Sequence, residues 1–177
     1  MRLVVMGSGQ GSNFEAIDRA IASGKLPAQI ALVISDKPDT PILAKARAGG
    51  IPTAHIPADD PGKLLATLEQ IAPDLIVLAG YMRILPRTVV EAFPRRIINI
   101  HPSLLPKYPG LNAPRQAIEA GEKETGCTVH YVDTGVDTGP IIAQARVPIL
   151  AGDTPQSLHA RIQAAEHTLL PQALPRL

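Results

Sequence analysis

The sequence contains no tryptophan and only 3% aromatic residues, so it has few rings on which unpaired bases could stack. Excess charge of one sign is also missing. Seventeen lysines and arginines against 16 aspartates and glutamates leave a formal net charge of +1, too little for a basic nucleic-acid groove. Cys127 is the only cysteine, which excludes an intramolecular disulfide and a multi-cysteine zinc site and suits a cytoplasmic protein. No apolar run approaches the roughly 20 residues of a membrane-spanning helix, and Met1–Met6 reads as a short strand rather than a secretory signal. The five histidines, at 55, 101, 130, 159 and 167, show no HExxH or similarly close ligand spacing, so no metal is expected. What remains is a chain of 177 residues, the size of one domain, expected to work on small molecules rather than nucleic acid or membrane.

Eighteen prolines and 14 glycines are spread along the chain and punctuate alternating elements. Residues 2 to 6, 28 to 35 and 74 to 80 are continuously apolar, as strands are when helices cover both faces of a parallel sheet. Between them lie helical patterns. One starts near Ser12 and Asn13, both good N-cap types, and ends at Gly24; a second covers 40 to 48 and a third 61 to 71. Further on, 97 to 101, 125 to 132 and 141 to 148 read as strands and 113 to 120 as a short helix. The last two strands are too close together for a crossover helix. A final helix opens at Thr154-Pro155, with Leu158, Ile162, Ala165 and Leu169 as its apolar stripe and His159, Gln163 and Glu166 along one border. The pattern predicts an α/β fold: a single doubly wound, mostly parallel, Rossmann-like sheet with helices on both faces and a mixed or antiparallel C-terminal edge.

The chemistry concentrates in Asn99-Ile100-His101-Pro102-Ser103-Leu104-Leu105-Pro106. Strand alternation sends Asn99 and His101 to one face, and the following prolines stop the strand, placing both side chains at a strand mouth. An asparagine amide can donate to a developing oxyanion and an imidazole can move a proton near neutral pH. A carboxylate that could orient the imidazole follows at Asp137, in Asp133-Thr134-Gly135-Val136-Asp137-Thr138-Gly139-Pro140. Each residue alone has a plainer reading, a packed histidine or an Asp-Thr-Gly turn, but together they form an acyl-transfer set. Gly7-Ser8-Gly9-Gln10-Gly11-Ser12-Asn13, between the first strand and first helix, suits an anion at a helix start. Its spacing departs from the dinucleotide fingerprint, since Ser12 stands where a third glycine would be required. Asp36 ends the second strand where a ribose-binding acid would lie in a dehydrogenase, so this half alone leaves a dinucleotide reading open. Tyr81-Met82-Arg83-Ile84-Leu85 follows another strand and offers Ile84 and Leu85 as apolar walls for a flat ring; an ordinary connection with Arg83 in solvent is the alternative.

These segments, with Thr125-Gly126-Cys127-Thr128-Val129-His130 and Asp137-Thr138-Gly139-Pro140, occur in an order that resembles the folate-dependent formyltransferases over nearly the whole chain. The Gly-Ser-Asn loop resembles the branch acting on glycinamide ribonucleotide in purine biosynthesis. The resemblance implies a single domain over 1–177, without the C-terminal extension usual in relatives, acting as a monomer or weak homodimer. It implies transfer of the formyl group of 10-formyltetrahydrofolate, a co-substrate, to the amine of glycinamide ribonucleotide. Asn99, His101 and Asp137 would be catalytic. Gly11, Ser12, Asn13, Gln163 and Glu166 would hold the ribonucleotide, and Met82, Arg83, Ile84, Leu85, Asn99, Asp133 and Asp137 the folate. A sugar-nucleotide N-formyltransferase, or a folate- or nucleotide-binding module without turnover, would share parts of this set. Two stretches depart from the pattern. Asp59-Asp60-Pro61-Gly62-Lys63 is shortened where a basic residue often meets the folate tail, and Leu111-Asn112-Ala113-Pro114 replaces a loop that commonly carries histidines.

Overall fold

Short apolar runs bounded by glycine or proline become strands because both faces can be buried beneath amphipathic helices. The computed structural model describes residues 1–177. In chain order its elements are β1 (Arg2–Met6), α1 (Ser12–Ala22), β2 (Gln29–Ser35), α2 (Pro41–Ala48), β3 (Thr53–His55), α3 (Pro61–Ile71) and β4 (Leu75–Leu78). They continue with α4 (Arg87–Ala92), β5 (Ile97–His101), α5 (Ala113–Glu119), β6 (Glu124–Tyr131), β7 (Ile141–Pro148) and α6 (Pro155–Ala173), closed by a 3-10 turn at Leu174–Arg176. The strands follow the order β3-β2-β1-β4-β5-β6-β7 in the sheet. This is the predicted α/β class, mostly parallel with an antiparallel C-terminal pair. The elements group into two compact units, Met1–Ile98 and Asn99–Leu177. No helix is long and apolar enough to cross a membrane.

In the first unit β1 pairs in parallel with β2 on one side and β4 on the other, and β2 pairs in parallel with β3. Leu3, Val4, Val5 and Met6 are fully buried, and Ile76 and Val77 of β4 likewise. Parallel alignment brings the C-terminal ends of β1, β2 and β4 to one edge of this unit, where Gly7–Gly11, Asp36 and Gly80–Leu85 begin. The N-cap of α1 differs from the sequence expectation. Gly11, at φ +75°, is the cap and Ser12 opens the helix, with no side chain capping it. Only glycine suits that position: the conformation is left-handed, and a Cβ would press into Ile42 of α2.

In the second unit β6 and β7 form the expected antiparallel pair. Helix α6 begins with a capping box in which Thr154 accepts from the Ser157 N–H and Ser157 accepts from the Thr154 N–H. Its buried row is Leu158, Ile162, Glu166, Leu170 and Ala173, so the predicted stripe is corrected at two positions. Glu166 lies within the buried row and not on its border, while Ala165 and Leu169 are only partly covered. An i, i+4 row continues straight up the helix whatever the polarity of its members.

Candidate active site

Three of the sequence-selected residues meet within the second unit. Asn99 and His101 share one face of β5, and Asp137 comes from the loop joining β6 to β7. Asp137 Oδ2 lies 3.3 Å from His101 Nδ1 and accepts the Gly110 N–H at 2.8 Å. Its Oδ1 lies 3.4 Å from the Asn99 amide nitrogen and 3.5 Å from His130 Nε2. The carboxylate therefore bridges the amide and both imidazoles. Burial raises the Asp137 pKa, but the His130 and Gly110 hydrogen bonds and the two imidazoles outweigh it and hold the group below its ordinary 3.8.

His101 is buried, and its Nε2 faces the Tyr108 carbonyl at 2.8 Å. Both ring nitrogens thus face oxygen acceptors, an arrangement that a ring carrying two protons satisfies fully. The carbonyl is held by the turn after β5. Ser103 Oγ donates to Lys107 O at 2.6 Å, and Thr128 Oγ1 of β6 donates to Ser103 O at 2.7 Å and accepts from the Leu105 N–H at 3.1 Å. Gln144 of β7 donates to both Leu105 O and Thr128 Oγ1. Tyr108, Gly110 and Asn112 all take positive φ, which turns this loop back toward Asp137. On the other side Asp133 Oδ1 accepts from Gly135 N and Thr138 Oγ1, shaping the loop that carries Asp137.

His130, which the sequence reading left without a role, belongs to the cluster. Its Nδ1 lies 2.9 Å from the Tyr131 carbonyl and its Nε2 3.2 Å from the Asn99 amide nitrogen. Its Nε2 thus faces both the Asn99 amide and the Asp137 carboxylate, and the ring ties β6 to the Asn99 side chain. The available signal was period two: Thr128 and His130 are buried polar residues two apart on β6. Gln163 and Glu166 lie nearly one turn apart on α6 in this unit, with Glu166 buried and near enough to Cys127 to help raise the thiol, already lifted by burial, to about 12.

The remaining selected residues belong to the first unit. Gly11, Ser12 and Asn13 form the start of α1, beside Lys45 of α2, whose ammonium donates to Gln10 O at 2.8 Å and pairs with Glu15 at 2.9 Å. Lys45 thereby offsets the acidic residue in a helix turn otherwise suited to an anion. In the segment after β4, Met82 and Ile84 are 64% and 76% exposed, whereas Leu85 is buried. The outward apolar pair is thus Met82 and Ile84.

A mostly parallel α/β sheet with an amide, an imidazole and a carboxylate clustered at the end of β5 matches a known class. The formyl transferase family profile covers residues 1–174, and the chain belongs to that family. Phosphoribosylglycinamide formyltransferase of Escherichia coli (strain K12) is 43% identical over 178 residues, which cover 97% of this chain and 84% of that protein. Trifunctional purine biosynthetic protein adenosine-3 of Drosophila melanogaster is 49% identical over 186 residues, 99% of this chain; the chain spans only 14% of that longer protein. The solved structure of glycinamide ribonucleotide transformylase 1 from Symbiobacterium toebii superimposes with a TM-score of 0.94 at 46% identity, covering 98% of this chain and 85% of that one.

Proposed function

We propose that this chain transfers the formyl group of 10-formyltetrahydrofolate to the amine of glycinamide ribonucleotide, a step of de novo purine biosynthesis. In this reading residues 1–177 act as one catalytic domain on small molecules in the cytoplasm, as a monomer or weak homodimer. The observation that carries it is the single carboxylate of Asp137 joined to both Asn99 and His101. The full-length relatives that act on this ribonucleotide by name support the choice of substrate.

The amine nitrogen attacks the formyl carbon, its bond to carbon forms, and the carbonyl π electrons move onto oxygen. Collapse of that oxyanion breaks the bond from carbon to the folate nitrogen, which leaves with a proton from His101, while the attacking nitrogen gives its proton to solvent water, from which His101 regains its own. Asn99 suits the oxyanion because its N–H toward Asp137 is held only by a 3.4 Å contact, long for a hydrogen bond, and so stays open to a substrate oxygen. His101, oriented by the Asp137 carboxylate 3.3 Å from its Nδ1, would supply a second donor and the proton for the leaving nitrogen. Gly11, Ser12 and Asn13 would receive the phosphate at the start of α1. Gln163 and Glu166 would bind the ribose or amine. Met82 and Ile84, with Arg83 and Leu85 fixing their segment, would receive the pterin, as would the loop of Asp133 and Asp137.

The test is to mix purified protein with 10-formyltetrahydrofolate and follow release of deformylated folate by absorbance, with and without glycinamide ribonucleotide. Release that requires the amine supports the reading. Release without amine would identify a hydrolase, and folate binding without release a binding module; either overturns it. Turnover with an amino-sugar nucleotide but not with glycinamide ribonucleotide would reassign the acceptor.

A further inference from the structure

The segment that starts the proposed folate site, Tyr81–Leu85, has no regular secondary structure and presents two large apolar side chains to solvent. Such a segment needs tethers to keep one geometry, and the structure shows two at its beginning. The Met82 N–H donates to Ser8 Oγ at 2.8 Å, and Arg83 Nε donates to Asp36 Oδ2 at 2.9 Å. Ser8 follows β1 and is itself fixed by its N–H on the Gly80 carbonyl at 3.0 Å. Asp36 follows β2. The ends of three neighbouring parallel strands are thus joined through two side chains.

Asp36 is an unusual choice for a mere spacer. Its side chain is 0% exposed, whereas Arg83, its cation, is 53% exposed. Burying a carboxylate costs free energy that only close hydrogen bonding and charge pairing offset. Burial raises its pKa, yet Ser8 and Arg83 bring it below the ordinary carboxylate value, so the group is an anion at neutral pH. Because Asp36 grips the guanidinium by Nε, the stem of Arg83 is fixed while the rest of the side chain reaches solvent.

We infer that Asp36 is a positioning residue for the folate-binding segment, holding Arg83 and, together with Ser8, the backbone at Met82 in the conformation that receives the formyl donor. The inference rests on the proposed role of Met82–Leu85. It also gives the dinucleotide-type acid at the end of β2 a different task from ribose binding.

Asp36→Asn keeps the shape and removes the charge. The expected result is a rise of about tenfold in KM for 10-formyltetrahydrofolate, with kcat and KM for glycinamide ribonucleotide within about twofold. Ser8→Ala, which removes the other tether, should raise the same KM by a smaller factor and serves if the Asp36 variant fails to fold. If Asp36 acts through Arg83, adding Asp36→Asn to Arg83→Gln should change the folate KM no further, a non-additivity that double-mutant analysis reads directly. Ile84→Ala tests the underlying site independently. A raised folate KM in Ile84→Ala with none in Asp36→Asn would overturn the positioning role and leave the site standing. No change in either would overturn the site and the inference with it. Equal losses toward both substrates would mark Asp36 as merely structural and also overturn the inference.

Discussion

Asp137 adopts a φ of +54°, a left-handed conformation that a non-glycine residue holds only when its surroundings fix it. The surroundings here are the Gly110 N–H, the His101 and His130 rings and the Asn99 amide, all converging on two carboxylate oxygens. Removing either oxyanion donor, by Asn99→Ala or His101→Ala, should lower kcat about 100- to 1000-fold, as steady-state kinetics will show. The Asp137 charge also links stability to pH. Its folded pKa is depressed, so between that value and the ordinary 3.8 the unfolded chain binds more protons. The stability advantage of the wild type over Asp137→Asn should therefore shrink as pH falls through the ordinary value and below it. Denaturant titrations across that range measure it. His130 is the residue that sequence reasoning overlooked. A lone histidine on a strand has a plain packing explanation, and its partnership with Asn99 depends on register between segments far apart in the chain.

At the scale of elements, the glycines and caps make separate demands. Gly126 of β6 lies under the turn after β5: a Cβ there would overlap the Ala145 carbonyl and meet Leu104 at 2.7 Å. Gly126→Ala should cost roughly 2–4 kcal/mol in chemical denaturation and disturb the turn carrying Tyr108. Thr154→Ala, which removes the capping box of α6, should cost about 1 kcal/mol and leave kcat unaltered. Most elements were legible because their signals are local. β1, α1 and α3 follow from apolar runs and periodicity, and β5 was bounded correctly by the prolines after it. β3 was missed because it spans three half-covered residues, too few for alternation to show. The six-residue α4 was too short for a helical period. The mistaken cap at α1 has another cause: Ser12 and Asn13 have the right chemistry, but contact with Ile42 makes Gly11 the residue that can turn there.

For the whole molecule, the family profile spans both compact units, from residue 1 to residue 174. The order of motifs along the chain resembled the formyltransferases before any geometry was known, and most of those motifs sit at strand or helix ends that the fold class already places. What the sequence could not show was the bridge. Asp137 reaches Asn99 and His101 only through a loop shaped by Asp133, Gly135 and Thr138, and through the positive-φ turn at Tyr108 and Gly110. Burial of Glu166 was equally hidden, since a polar residue in an apolar row leaves no mark in the hydrophobic pattern.

The central claim, transfer of a formyl group between two substrates by the Asn99–His101–Asp137 cluster, is tested most directly by mass-spectrometric detection of N-formylated glycinamide ribonucleotide in a single turnover of the wild type and of His101→Ala. Formylated amine should form in the wild type in step with loss of formyl from the folate, and at least about 100-fold more slowly in His101→Ala. Formyl loss without formylated amine, or equal rates in the two proteins, would contradict it.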